Sequence, residues 1–467
     1  MIADARVRAA HGLVQRKEFH QAWPLISEIL NERPDNAQAL YLAGCVMRSQ
    51  GHVGAALPIL RRALALDSQQ PNLWMHYGAC LHDTHQYAEA RDCFRNAAKM
   101  LPRDAMPVAN IAASFVQEGK AREALEWADK ALAIAPDNPI AGVAKSFGAL
   151  ALGRWAEGWK YAEFLYGEKL VIRVYTEANE PQWDGTKGQT VVVQADQGLG
   201  DMLMFAQCLP AMVKDCKRVI VETNERLAPI FARNFPEVHV YNTLKKGNGL
   251  KWPKKYKIDA HIHISLLGKF YRLRDEDFPR TAYIQADEKW RAHWRAWLAD
   301  KPRPWVGLAW KGGIAQTNTL ARSMSLSDLA PFIEGGGTMV SLSYHDDANE
   351  IARWNLDHRE QVLRPGLDND GPYDETLGLI AELDHVVTVT TTVAHACGAM
   401  GKKASVLVNA VPQWRYCYRG AGDGMIWYPE RSVTLYRQVQ GEVDWSPVIG
   451  RAARDYGAFV KPMTLAA

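Results

Sequence analysis

Over the whole chain, charge of one sign is not in large surplus. Fifty-five lysines and arginines stand against 52 aspartates and glutamates, a formal net charge of +3 over 467 residues. Such a chain is not expected to grip nucleic acid or an anionic membrane as a whole. Long apolar runs are missing too. No window approaches the roughly 18 uninterrupted apolar residues of a membrane span, and the opening MIADARVRAAHG has no apolar stretch behind its arginines. The expectation is a cytoplasmic protein without a membrane span. Cysteine is scarce: Cys45, Cys80, Cys93, Cys208, Cys216, Cys397 and Cys417 form an odd, scattered set with no CxxC or CxxH pair. That pattern indicates neither a disulfide framework nor a zinc site, and most are expected to be small buried apolar residues. The core-forming material is ordinary in amount, with 48% hydrophobic and 23% charged residues, and the length predicts about three domains.

The first third repeats itself. Ala22, Ala56, Ala90, Ala124 and Gly158 stand 34 residues apart. Five residues before each comes Lys17, Gly51, His85, Gly119 or Gly153, and three before comes Phe19, Val53, Tyr87, Ala121 or Trp155. Ile26, Leu60 and Phe94 hold the same register, as do Ala63, Ala97 and Ala131, and Pro34, Pro102 and Pro136 close three units. This period and pattern resemble the tetratricopeptide repeat. Small residues let two antiparallel helices approach, large ones fill the gap, and proline stops the second helix. Stacked units form a superhelix whose concave wall commonly holds a peptide or partner helix. Trp23, Trp74 and Trp127 are expected to be packing residues.

From about residue 185 short β-branched runs alternate with helical stretches, the pattern of parallel α/β sheets. Strands are predicted at 190–195, 218–222, 237–241, 258–264, 305–310, 338–343, 385–390 and 404–408, enough for two Rossmann-like sheets. Between the two sets, Trp290, Trp294 and Trp297 at helical spacing predict an interdomain helix with an apolar face.

Ligands of open parallel sheets sit at the carboxyl ends of the strands, and four such loops stand out. In Gln194-Ala-Asp-Gln-Gly-Leu-Gly-Asp201, Gly198 and Gly200 allow close backbone approach and Asp201 falls at a helix start facing the cleft, or merely caps that helix. After strand 305–310, Trp310-Lys311-Gly312-Gly313 leads to Arg322; Lys311 and Arg322 suit a diphosphate, or are ordinary solvated charges. After strand 385–390, Thr390, Thr391, Thr392 and His395 open a helix whose hydroxyls and N–H groups make a phosphate seat, although His395 equally suits a buried histidine bonded to backbone. After the last predicted strand, Trp414 and Arg415 could bracket a sugar or a base, or pack. Walker and HExxH motifs are absent.

The ordered set GRWAEGWKYAEF, PQWDG, VVVQADQGLGDMLMFAQCLP, VGLAWKGG, TTVAHACGAMGKK and QWRYCYRG behind a repeat array resembles bacterial tetratricopeptide-repeat proteins fused to a glycosyltransferase family 9-like domain, relatives of the heptosyltransferases. The resemblance covers nearly the whole chain. It implies repeats over 1–165, then a GT-B fold of two Rossmann-like domains: an acceptor-side domain at 166–284 and a nucleotide-sugar domain with a terminal helix at 285–467. It further implies a metal-independent inverting glycosyltransferase with no cofactor beyond its nucleotide-sugar donor. Asp201 takes the place of the general base. Lys311, Arg322, Thr391, Thr392 and His395 become donor-phosphate ligands behind the Gly198/Gly200 loop, with Trp310, Trp414 and Arg415 as candidates for sugar or base contact.

Two positions depart from that pattern, Thr390 and Gln413 each standing where relatives carry aspartate, and both argue against heptose as the sugar. The architecture is also similar to eukaryotic O-GlcNAc transferase, whose repeat groove is lined with asparagines. Here only Asn110 holds that register, beside Arg8, Leu42, His76 and Ala144, so no such ladder is expected. Lys245, Lys246, Lys251, Lys254, Lys255 and Lys257 crowd one loop and read as a solvated face, with an acidic acceptor as the alternative. His261 and His263 share one side of a strand without a third metal ligand in view. The expected activity is sugar transfer from a nucleotide sugar to a hydroxyl of a protein, such as flagellin or another surface protein, recruited by the repeats. A catalytically inactive scaffold or nucleotide-sugar-binding protein is the alternative, and transfer to a glycan or lipid a third reading. Oligomeric state is open.

Overall fold

The 34-residue period becomes one helical pair per repeat. The pairs are Ala5–Gln15 with Phe19–Glu32, Ala37–Ser49 with Val53–Leu66, Pro71–Asp83 with Tyr87–Met100, and Ala105–Gln117 with Ala121–Ile134, followed by Pro139–Ala151 and Trp155–Lys160. The computed structural model describes residues 5–166, 180–196, 198–242, 256–313, 320–344, 347–368, 370–439, 441–442 and 444–464. Of the lysine-rich loop only Lys257 is among them; Lys245, Lys246, Lys251, Lys254 and Lys255 lie outside the described residues.

Each reversal inside a pair uses one left-handed residue. Lys17, Gly51, His85, Gly119 and Gly153 have φ of 61°, 85°, 63°, 72° and 73°, a conformation natural to glycine and strained for lysine and histidine. A second register of small residues, Ala10, Gly44, Gly78, Ala112 and Ser146, is buried along the first helices. A Cβ on Gly44 would lie 2.4 Å from Leu60 Cγ, and one on Gly78 2.8 Å from Phe94 Cε1. Opposite them Ala22, Ala56, Ala90 and Ala124 have no exposed surface. Trp74 and Trp127 are half-buried. Trp23, expected to pack, is 39% exposed, because its neighbour Ala22 occupies the inward direction of that turn.

The compact units divide between Ala149 and Leu150, earlier than the boundary expected at 165. The physical reason is the helix Trp155–Lys160, which packs onto residues that follow it. Trp155 Nε1 donates to Asp275 Oδ1 at 2.6 Å, Trp159 Nε1 donates to the Arg272 carbonyl at 2.8 Å, and Gly268 leaves room for the Trp159 ring, where a Cβ would come within 2.3 Å.

The second unit holds two all-parallel sheets. The strands are β1 Thr190–Gln194, β2 Arg218–Thr223, β3 His239–Asn242, β4 Ala260–His263, β5 Trp305–Ala309, β6 Thr338–Ser341, β7 Val362–Leu363, β8 His385–Val389, β9 Ala404–Val408 and β10 Val433–Arg437. The first sheet runs β3-β2-β1-β4 and the second β10-β9-β8-β5-β6-β7. In register, Val192 lies beside Ile220 and His261, and Leu308 beside Ser341 and Val387. Central strands β1, β5 and β9 are buried along their whole length, as both-face coverage requires. Sequence reading missed β7, only two residues long, and β10, which follows a long irregular stretch. The tryptophan-bearing helix Glu288–Leu298 packs on the helix Tyr373–Glu382. Trp294 is buried with its indole N–H on the Glu375 carbonyl at 3.0 Å, and Arg291 and Arg295 pair with Glu382.

Strand order reverses once in each sheet, between β1 and β4 and between β5 and β8. The carboxyl ends of those pairs are the topological switch points where parallel sheets open a crevice.

Candidate functional site

The loop after β1 and the helix after β8 meet. Gly200, in the helix Leu199–Phe205, lies so close to the helix Thr392–Met400 that a Cβ would sit 2.8 Å from His395 Cδ2 and 3.4 Å from Thr392 Cα. The two switch points therefore face each other across one glycine. Gly200, expected to admit a ligand's approach, admits the other loop instead. A Cβ at Gly198 would lie 3.1 Å from Asp201 Oδ2.

Asp201, in the first turn of its helix, forms an ion pair with Arg415. Its side chain is about one-quarter exposed and that of Arg415 7%. Burial pushes the Asp201 carboxyl up to about 6, with Asp196 adding to the rise and Arg415 and Arg322 opposing it. Asp196 accepts hydrogen bonds from Ser265 Oγ at 2.6 Å, across the β1/β4 switch point, and from the Gly198 N–H at 3.0 Å. Two neighbouring carboxylates thus have different surroundings: Asp196 is held by a hydroxyl and an amide, Asp201 by a guanidinium.

Arg415 also donates from Nη1 to Gln413 Oε1 at 2.6 Å. Arg322 donates from Nε to Thr390 Oγ1 at 3.2 Å and from Nη2 to the Thr390 carbonyl. Each of the two positions that depart from the resembled pattern therefore offers a neutral acceptor to one of the two arginines. Both guanidinium groups act on the same three side chains, Asp201, His395 and Tyr416.

Lys311 sits elsewhere in this network. Its Nζ is 2.5 Å from Glu350 Oε2, and Glu350 also accepts from the Leu326 N–H at 2.6 Å and Trp310 Nε1 at 3.1 Å. Burial works against ionisation of Glu350, yet Lys311, the Leu326 amide and the Trp310 indole together hold its carboxyl below the ordinary range. Trp310 is fully buried, so it is a core residue rather than a surface for a sugar or base. Trp414 is likewise buried at 2% exposure, edge-on to Trp159 with centroids 5.7 Å apart.

His395 is enclosed by two tyrosines. Its Nδ1 is 2.7 Å from Tyr428 Oη and its Nε2 2.9 Å from Tyr416 Oη, so both ring nitrogens are engaged inside the protein, by side chains and not by backbone. Burial, with Arg415 and Arg322 nearby, lowers the imidazole to about 3; the ring is neutral at physiological pH. Thr391 Oγ1 caps the helix by accepting from the Val393 N–H at 3.2 Å and lies 3.0 Å from Thr388 Oγ1. Thr392 is half-buried beside Gly200. The structure thus brings Asp201, Arg322, Arg415, Thr391, Thr392 and His395 to one place. It adds Asp196, Ser265, Tyr416 and Tyr428 there, and Glu350 beside Lys311, which sequence reasoning missed. Only Asp196, two residues past the end of β1, carried a signal. Among the described residues no group of three or more His, Cys, Asp or Glu side chains converges as a metal site, and no helix is long and apolar enough to cross a membrane.

Residues 15–97 match the family model described as Anaphase-promoting complex, cyclosome, subunit 3. The N-terminal array is tetratricopeptide-like. Over 450 residues the chain is 28% identical to Protein FlbA of Caulobacter vibrioides, covering 91% of this chain and 74% of that protein. Solved structures similar to it include PilF of Pseudomonas aeruginosa (22% identity, 34% of this chain, 73% of that chain, TM-score 0.32) and MamA (18%, 35%, 94%, 0.31). A third is YrrB, described as a TPR protein with an unusual peptide-binding site (26%, 28%, 69%, 0.27).

Proposed function

We propose that the second unit is a GT-B glycosyltransferase that moves a sugar from a nucleotide sugar to a hydroxyl of a protein brought by the repeats. The observation that carries this reading is Asp201: a carboxylate raised to about 6 beside two arginines, where two switch points face each other. An acceptor hydroxyl oxygen attacks the anomeric carbon, and the bond from that carbon to the diphosphate oxygen breaks with its electron pair left on the diphosphate. The hydroxyl proton passes to Asp201. A base whose pKa lies close to working pH suits that transfer, and preorganised cations suit the leaving charge. Arg322 and Arg415, with Lys311 and the helix start at Thr391 and Thr392, supply them. Tetratricopeptide-type repeats commonly bind peptides or proteins, which supports a protein acceptor, a flagellin or other surface protein among the candidates. No metal is called for in this scheme.

The test begins with thermal stabilisation by UDP, GDP, ADP, CMP and dTDP, free and as sugars. A ligand at about 100 times its dissociation constant adds roughly 2.7 kcal/mol. With donor and acceptor identified, Asp201→Asn is expected to lower turnover by about 10²- to 10⁴-fold; unchanged turnover removes Asp201 as the base. A second reading, a nucleotide-sugar-binding scaffold without chemistry, draws support from the pairing of Lys311 with Glu350 and the enclosure of His395. It predicts binding with no transfer to any protein captured by the repeats.

A further inference from the structure

We infer that Arg415 is a shared group: without ligand it holds Asp201, and when a phosphate-type dianion binds beside Arg322 it leaves the carboxylate for the anion. The inference rests on the reading of this cleft as the donor site only for naming the anion a diphosphate. Three observations carry it. The Arg415 side chain is 7% exposed and reaches Asp201 and Gln413, so a charged acceptor that it holds is the proposed base itself. Arg322 donates twice to Thr390, and among the described residues no carboxylate lies within ion-pair distance of it. Both guanidinium groups act on Asp201, His395 and Tyr416, so an anion drawn to one falls within the field of the other.

The exchange has a definite consequence for protons. The groups around Asp201 are Arg415, Arg322, Asp196, Tyr416 and Tyr428, with neutral His395 between the two tyrosines. When Arg415 turns to an anion, Asp201 loses its opposing charge and gains a negative neighbour. Both changes raise its affinity for a proton. Asp196 keeps the Ser265 hydroxyl and the Gly198 amide, so the proton taken from solvent settles on Asp201. Ligand binding therefore raises the proton affinity of Asp201: the fraction that stays ionised is a stronger base than in the free protein, and the fraction that takes a proton from solvent is not competent for the transfer.

The test uses the full chain and inorganic pyrophosphate, titrated calorimetrically at pH 7.5 in two buffers of different ionisation enthalpy. Wild type is expected to bind with partial proton uptake. Asp201→Asn is expected to bind about ten-fold more tightly, because the competitor for Arg415 is gone, and to take up fewer protons than wild type, the change in pyrophosphate's own ionisation being common to both. Arg415→Gln and Arg322→Gln are each expected to bind at least ten-fold more weakly. A structural role for Asp201 would weaken binding on substitution; tighter binding separates the two. Sulfate, whose charge is constant between pH 5 and 8, gives a measurement that needs no variant: wild-type affinity should rise as pH falls through the Asp201 range. A flat sulfate profile, unchanged or weaker pyrophosphate binding by Asp201→Asn, or no anion binding at all overturns the exchange. A protein that transfers no sugar yet shows tighter binding in Asp201→Asn refutes the enzymatic reading and leaves the exchange standing.

Discussion

Two glycine-to-alanine substitutions in helices should move stability in opposite directions. Propensity alone favours alanine by about 1 kcal/mol in a helix interior. At Gly457, in the helix Ser446–Thr464, an added Cβ meets nothing within 4 Å, so Gly457→Ala should stabilise by about 0.5–1 kcal/mol. At Gly398, inside the helix Thr392–Met400, the added Cβ would lie 2.2 Å from Tyr428 Cδ2, 2.3 Å from Cγ and 2.5 Å from Cε2. That ring is 1% exposed and its hydroxyl is tied to His395, so it has nowhere to move. Overpacking costs about 1–3 kcal/mol and occasionally more; three ring carbons this close place Gly398→Ala at the upper end, for a net loss of about 2 kcal/mol after the propensity gain. The variants should therefore differ by roughly 3 kcal/mol, read by denaturant titration or as a separation of several degrees in Tm. Pyrophosphate affinity should also fall in Gly398→Ala, because a displaced Tyr428 shifts His395 and the Gly200 contact. If Gly398→Ala melts at or above wild type, the Tyr428–His395 frame yields, and the argument that it rigidly positions the site is wrong.

The remaining expectations are brief. Lys17 is exposed and left-handed, so Lys17→Gly should remove about 1–2 kcal/mol of strain against an entropy cost of about 0.5–1, a small net gain in the Tm of the repeats. His85→Gly should gain less, since it gives up the 2.7 Å contact of His85 Nδ1 with Tyr87 Oη. The Asp201 carboxyl is raised to about 6, above its unfolded value of about 3.9. The folded state therefore binds this proton more readily, and ionisation works against the fold. The stability of wild type relative to Asp201→Asn should fall by about 2–3 kcal/mol as pH rises from 4 to 7. Denaturant titrations at four pH values check this, and a difference that stays constant refutes it.

How much was legible in the sequence depended on how local the cause is. The 34-residue period predicted the helical pairs, and the turn position five residues before each Ala or Gly of the register proved to be left-handed in all five units, because each repeat meets the same neighbours at the same offsets. Eight strands were legible as short β-branched runs, because a sheet covered on both faces demands apolar residues along the whole strand. The β7 strand was not, since two residues carry no pattern. The charged loops could also be found, because they follow predicted strands and ligands of parallel sheets sit at the carboxyl ends; the strand order that makes two of them switch points came from the structure.

Partners across long sequence separations were a different matter. Nothing in the order of residues pairs Asp201 with Arg415, Lys311 with Glu350, or His395 with Tyr416 and Tyr428. Those pairings depend on how the two parallel sheets face each other, and that facing is set by packing over the whole second unit. Trp310 and Trp414 looked like ligand surfaces on their loops and were buried by the same packing. The sequence by itself determined the repeat, the parallel strands and the loops that carry charge, because periodicity and strand propensity act over a few residues. Only the tertiary structure decided which charge neutralises which, because electrostatic partners are chosen by distance in space and not by distance along the chain.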